Sequence, residues 1–503
     1  MNTTGMHRSI WLDKQSRPSY PPLFGNLQTE VAVIGAGITG LTAALLLKQA
    51  GRKVTVLESH TIGFGTTGNT SAHLTTLPDA RYQTLEKSFG IQTIQQVYSS
   101  LQTALDQIES IIRQYNIDCH FARIPGYFYA ERGQDVRAVR EEFESAHHAG
   151  LDVQFATGVP LPFPVSSAVQ VASQGRFDSV QYLDALAAAV QGDGCQIVEH
   201  TRVLDFTDGN PCTITTSKGH TVTAQHVIMA THTPLGRNLV LHTQVAPYRS
   251  YVLGVRINGT IPDALFWDTA EPYHYIRKFN GPAGEILIIG GRDHKTAHGD
   301  EQDHFRQLEE YARSHFDITE IMYRWSSQLY EPADQLPMIG KNPLGSNIYV
   351  ATGYSGNGLT FGTLAGMMNS DLILGKSTPY SELYSPSRFN LSSMPHLISE
   401  NIDVARRFIT DRLTQSDPDQ LNHLKPGEAC SVRIGTTPVA AYCDSSGNLH
   451  TLSAVCPHMK CIVEWNTAEH TWDCPCHGGR FSPEGQCLEG PPRHDLDRVN
   501  VKK

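Results

Sequence analysis

The sequence predicts an α/β chain: a parallel dinucleotide-binding sheet, a second mixed sheet, and a small all-β module at the C-terminal end. Three observations carry this prediction. Residues 29–58 read as apolar strand, Gly-x-Gly-x-x-Gly turn, Ala/Leu-rich helix and second strand. Residues 243–258 and 264–292 alternate as antiparallel strands do. Residues 456–477 carry Cys456-Pro-His458 and, fifteen residues on, Cys474-Pro-Cys476-His477, two short claws of one sulfur and one nitrogen each.

In the first element Gly35 permits a tight turn, Gly37 lets a pyrophosphate approach the backbone at the helix N-terminus, and Gly40 lets helix and strand pack closely. Glu58 follows at the end of the second strand, where an acid accepts hydrogen bonds from the adenosine ribose. An enzyme binding both FAD and a nicotinamide cofactor usually carries two such fingerprints. The chain has one, and Gly290-Gly291 does not match it.

The claws point to a [2Fe–2S] cluster held by Cys456, His458, Cys474 and His477, two Cys on one iron and two His on the other. Zinc also accepts two Cys and two His, although its sites usually pair like with like. The mixed claws resemble the Rieske family over about residues 425–503, and Gly478, Gly479 and Gly490-Pro491-Pro492 agree. The resemblance implies a Cys461–Cys476 disulfide between the two ligand loops. It also marks a departure. The high-potential members place a Ser and a Tyr where this chain has Gly479 and Phe481. Without those hydroxyl donors the potential is expected in the lower half of the Rieske range, about −150 to +300 mV.

The FAD-side blocks resemble the glycine/D-amino-acid oxidase (DAO) superfamily over about residues 29–375. Ile62–His73 resembles its second FAD contact, which implies roles for Thr66, Thr67 and Ser71. Glu199–Leu204 and His226–Thr231 resemble the strands that bring Val203 and Thr231 to the dinucleotide. Asn347–Thr360 resembles the strand, turn and helix start that meet the flavin ring, implying Gly353, Gly356, Gly358 and Thr360. Some relatives link FAD covalently through a His, but the residues around His73 match them poorly. The implied fold is a Rossmann-like FAD-binding domain (about 29–80, 195–235 and 330–375) with a mixed-sheet substrate domain (about 120–180 and 243–325). An N-terminal arm (1–28, extended over 8–28), a helix or helix pair over 80–116, a connector (376–424, with one helix at 402–409) and the Rieske domain (425–503) complete the chain.

The implied chemistry is hydride transfer from an amine or amino-acid C–N unit to FAD, with one-electron relay through the cluster to an external acceptor, expected to be a soluble carrier. An O₂-using oxidase and a redox-sensing or electron-carrier protein are the alternatives. Arg249 and Arg292 are candidate clamps for a substrate carboxylate, although each is also a candidate structural ion pair. Tyr248, Tyr251, His274, Tyr275 and His294 are further candidate contacts on the same sheet. Net charge −10 gives no support for nucleic-acid binding. No apolar run is long enough to span a membrane and no signal core stands at the start. Cys119, Cys195 and Cys212 are scattered and the other seven of ten cysteines follow residue 429, a pattern that fits a cytoplasmic metalloprotein.

Overall fold

The computed structural model describes residues 4–501 except 15, 157, 237–238, 282–283 and 389–417. The expected helix at 402–409 lies outside the described residues. The dinucleotide sheet has a parallel core. Leu27–Ile34 lies between Val54–Leu57 and Thr221–Met229, and Gln196–Val198 and Ile348–Thr352 extend it on either side. Met338–Lys341 closes one edge antiparallel. Parallel strands are covered on both faces and so must be apolar. Accordingly, the last four residues of Leu27–Ile34 are all buried.

The helix Ile38–Gln49 leaves the fingerprint turn and is buried nearly all round. Its neighbour is Gly358–Ile373, and glycines set their separation. A Cβ on Gly362 would lie 2.8 Å from Ile38 Cγ2, and one on Gly366 would lie 2.9 Å from the Thr39 carbonyl. Gly35 turns at φ +104°, and a Cβ there would sit 2.5 Å from the Ala230 carbonyl oxygen. A Cβ on Gly40 would collide with the Gly35 carbonyl. Only glycine fits both places.

The second sheet runs in the order 318–332, 245–257, 284–295, 274–281, 265–268, 122–131, 165–176, 73–74. Its pairings are antiparallel except Leu265–Asp268 with Ala122–Glu131, which makes it mixed as expected. The helix Glu301–His315 covers one face through Phe305, Leu308 and Ala312. The expected helical stretch at 80–116 is a pair, Tyr82–Phe89 and Ile91–Gln114.

The C-terminal module has a three-stranded antiparallel sheet, Ala429–Ile434, Thr437–Cys443 and Leu449–Ser453, and a four-stranded one spanning Glu464 to Glu489. The Asp444–Asn448 segment makes the hairpin turn between Thr437–Cys443 and Leu449–Ser453, with Gly447 at φ +81°.

The arm is not simply extended. Leu12 N–H closes a turn on the Ser9 carbonyl at 3.2 Å and Trp11 is fully buried. Trp11 has a real anchor: its Nε1 donates to the Thr70 carbonyl at 2.6 Å, and the Arg277 guanidinium lies 5.3 Å from its ring. The same segment reaches the C-terminal module. Met6 N–H donates to the Glu469 carbonyl at 2.8 Å, and Arg480 Nη1 donates to the Thr4 carbonyl at 3.1 Å.

Candidate active site and metal centre

A deep cleft opens at the C-terminal ends of the parallel strands, where Ile34, Leu57 and Ala230 line it. The fingerprint turn supplies Gly35 and Gly37, and Glu58 directly follows the second strand. The Glu58 carboxylate accepts from Ala36 N–H and His60 N–H, both at 2.8 Å, while burial raises its pKa. Thr66, Thr67, Ser71, Val203, Thr231, Gly356 and Gly358 also line the cleft. Thr67 Oγ1 accepts from Ile38 N–H at 3.2 Å, which fixes the hydroxyl at the helix N-terminus.

Three of the predicted cofactor residues lie off this lining. Gly40 sits beneath the turn as a packing residue. Gly353 shapes the bend after Ile348–Thr352 at φ +77°. Thr360 turns its hydroxyl onto the Asn357 carbonyl of its own helix at 3.3 Å.

The substrate end needs a larger correction, and its cause is strand parity. Neighbouring side chains on a strand face opposite sides. Ser250, Tyr275 and Asp293 face the cleft, whereas Arg249, Tyr251, His274, Arg292 and His294 are not on its lining. Tyr251 is fully buried on the helix side, where its hydroxyl meets His294 Nε2 at 2.8 Å. His274 pairs with Asp268 at 2.8 Å and stacks on Tyr311. Arg249 is committed to Gln328 Oε1 at 2.7 Å and to Glu489 of the C-terminal module at 2.9 Å. Neither arginine is therefore a substrate clamp, and Tyr248 is off the lining as well.

Residues the sequence did not single out take these places. Trp267, Tyr273, Asp79 and Arg81 join Tyr275, Asp293 and His73 at this end. The His73 ring lies 5.6 Å from Trp267 and 5.5 Å from Tyr275. Burial lowers His73 to about 3, with Arg277 adding to the effect, so its ring is neutral. Tyr275 and Ser250 hydroxyls are 2.9 Å apart. Burial raises Asp293 to about 7; Ser250 opposes this by hydrogen bonding, and Asp79 and Glu271 reinforce it. The adjacent glycines Gly126 and Gly290 make room for the rings: a Cβ on Gly126 would lie 2.8 Å from Trp267, and one on Gly290 would overlap Tyr275. That pairing of Gly with a neighbouring-strand aromatic was the signal available in the sequence.

The metal centre assembles from the two claws. Cys456, His458, Cys474 and His477 are all buried. The Cys456 and Cys474 thiols lie within hydrogen-bonding reach of each other. The two imidazole rings are 5.0 Å apart, and His477 Nδ1 is buried without a hydrogen-bond partner among the described residues. Two sulfurs and two imidazoles converging in a dry pocket suit a [2Fe–2S] cluster. The sulfurs of Cys461 and Cys476 are bonded, as the resemblance implied. These sulfurs also crowd Cys474, but a disulfide offers no thiolate to a metal, so the three are not a separate site. Gly479 packs under the proline loop, where a Cβ would lie 2.5 Å from Pro492 Cγ.

The module sits with its ligand loops against the FAD side. His458 Nε2 is 3.2 Å from the Gly236 carbonyl, and His242 lies 4.6 Å from the His458 ring and 5.5 Å from the His477 ring. Cys487, Leu488, Glu489, Gly490, Pro492 and Arg493 line the FAD cleft itself. Tyr330 joins the two sites. It lines the cleft, its ring meets His232 at 4.7 Å, and its hydroxyl donates to the His477 carbonyl at 2.9 Å.

Comparison with known proteins agrees with both halves. The family of FAD dependent oxidoreductases of the DAO type matches residues 30–372. The chain belongs to the DAO family of FAD-dependent oxidoreductases. The Rieske [2Fe-2S] domain family matches residues 418–500. This DAO protein thus binds FAD and a [2Fe–2S] cluster. It is 32% identical to YhfW of Bacillus subtilis strain 168, named as a Rieske 2Fe-2S iron-sulfur protein, over 98% of this chain and 97% of that one. It is 27% identical to the gamma-glutamylputrescine oxidoreductase of Escherichia coli K12 over 70% of this chain and 84% of that one. Its fold matches glycine oxidase from Geobacillus kaustophilus at TM-score 0.60 and 20% identity, covering 72% of this chain and 100% of that one. No helix among the described residues is long and apolar enough to cross a membrane.

Proposed function

We propose that the chain oxidises the C–N bond of an amine or amino acid by hydride transfer to FAD and relays the electrons singly through the Rieske cluster to an external acceptor. The observation that carries this is a single cleft with walls from both domains, joined to the cluster by the Tyr330–His477 hydrogen bond. FAD accepts a hydride from a C–H beside nitrogen, and a [2Fe–2S] cluster passes one electron per step. The substrate loses two electrons and becomes an imine, which water hydrolyses to a carbonyl compound and a free amine. Two successive one-electron acceptors then balance each turnover.

The chain's residues prepare this chemistry. Gly35 and Gly37 leave room for a diphosphate beside the helix N-terminus. Glu58 offers a carboxylate to the ribose. The helix starting at Gly358 directs its N-terminus at the cleft, where it favours negative charge. The relatives' names, a glutamylated diamine in one and glycine in the other, support a C–N bond as the reacting unit. The test is anaerobic titration of the holoenzyme with amines and amino acids, following the visible spectrum and the electron paramagnetic resonance of the reduced cluster. Flavin bleaching followed by a cluster signal is expected. Flavin bleaching that is never followed by cluster reduction would remove the relay.

A further inference from the structure

We propose that the substrate end of the cleft is a cation cage, built for a substrate that presents an alkylammonium group without an adjacent carboxylate. This rests on the amine-oxidising reading above and narrows it from amines and amino acids to amines. Three aromatic rings surround the space: Trp267, Tyr273 and Tyr275, the two tyrosines 6.0 Å apart. Two acids, Asp79 and Asp293, face the same space. Aromatic faces and carboxylates together are the surroundings a desolvated ammonium requires.

The carboxyl of Asp293 is poised for such a partner. Its Oδ1 is buried and has no hydrogen-bond partner among the described residues. A buried carboxyl oxygen left open is costly unless a donor arrives. Asp79 is tied down: its Oδ2 accepts from Gly356 N–H at 3.0 Å and its N–H donates to Asn357 Oδ1 at 2.6 Å.

A substrate carboxylate would need an opposed cation, and the arginines are placed against it. Arg249 and Arg292 lie off the lining. Arg202 and Arg493 line the cleft but pair with Asp495 and Asp205. Arg81 is the one arginine at this end that lines the cleft, its guanidinium over the Phe128 and Tyr273 rings at 4.7 and 5.2 Å, and its charge is set against two acids, Asp79 and Asp293. Two acids against one arginine leave this end net negative when both are ionised.

Two measurements test the cage. In the first, the holoenzyme is titrated anaerobically with matched pairs, ethylamine against alanine and propylamine against 2-aminobutanoate, while flavin bleaching is read. In the second, tetramethylammonium binding is measured by calorimetry for wild type, Asp293→Asn and Asp79→Asn. The amine of each pair should half-saturate at least about tenfold lower than its carboxylated partner, the scale of one desolvated cation contact. Tetramethylammonium should bind wild type, and each variant should weaken it by a similar factor. Equal or better response to the carboxylated partner overturns the cage, as does tetramethylammonium binding that is absent or indifferent to both variants. If no compound bleaches flavin while tetramethylammonium binds in an Asp-dependent way, the oxidase reading falls and the cage stands.

Discussion

Asp293 shares its surroundings with Tyr273, Tyr275, Asp79, Arg81, neutral His73 and, further out, Glu271. Burial raises it to about 7, so it ionises as pH rises through neutrality. A permanently charged ligand such as tetramethylammonium should therefore bind more tightly above pH 7 than below it, and Asp293→Asn should flatten that dependence. Calorimetry across pH 5.5–8.5 checks it. At the cluster, Phe481 is fully buried and brings no hydroxyl, and Gly479 packs under Pro492. A redox titration should place the midpoint in the lower half of the range of about −150 to +300 mV. Gly479→Ser should not simply restore a donor, because its Cβ would press on the proline ring. These residues also mark what a sequence discloses. The four candidate cluster ligands sit within two claws whose spacing is local, so they could be picked out from the chain alone. Arg249 and Ser250 are neighbours of opposite orientation, and which one faces the cleft depends on the helix Glu301–His315 covering the other side, a contact about fifty residues away in the chain.

At the scale of elements, the fingerprint strand, turn and helix were legible because period, glycine spacing and a terminal acid all agree over thirty residues. Tyr330 was not. It lies near the end of the long strand Ile318–Pro332, and nothing local distinguishes it from the other aromatics of that sheet. Its meaning comes from the far end of the chain, through its bond to the His477 carbonyl. Tyr330→Phe keeps the ring against His232 and removes the hydroxyl's bonds to the His477 carbonyl and, at 3.5 Å, to the Gly490 carbonyl. Flavin reduction by substrate should proceed at the wild-type rate, while the following cluster reduction should slow by a few-fold. Stopped-flow absorbance with freeze-quench resonance separates the two steps; equal slowing of both would assign Tyr330 to the substrate step instead.

At the scale of the molecule, the two domains meet through buried charge. Arg249 bonds Glu489 at 2.9 Å, and Ser326 Oγ donates to Glu469 Oε1 at 2.6 Å. Removing one partner of a buried pair leaves the other uncompensated and typically costs about 3–5 kcal/mol. Arg249→Ala should therefore lower stability by about that much in urea unfolding, while Arg249→Ala/Glu489→Gln should recover part of it. Recovery in the double variant distinguishes a domain bridge from a lone packing residue. Nothing in the sequence could pair positions 249 and 489, because the charges match only after both sheets exist.

The segment Thr4–Trp11 is held at one end by Glu469 and Arg480 and at the other by Gly68 and Thr70. Its partners at positions 469 and 480 leave the ribosome more than 450 residues after it does. Early in synthesis this strap has half its anchors, and it can close only when the last domain has folded onto the first. A nascent chain that stalls before the Rieske module would still hold Trp11 through Thr70 and Arg277 but would lack the partners of Thr4–His7. The strap thus acts as a check on completeness: a truncated chain should present a loose N-terminal end that proteases can reach, and a finished chain should hold it.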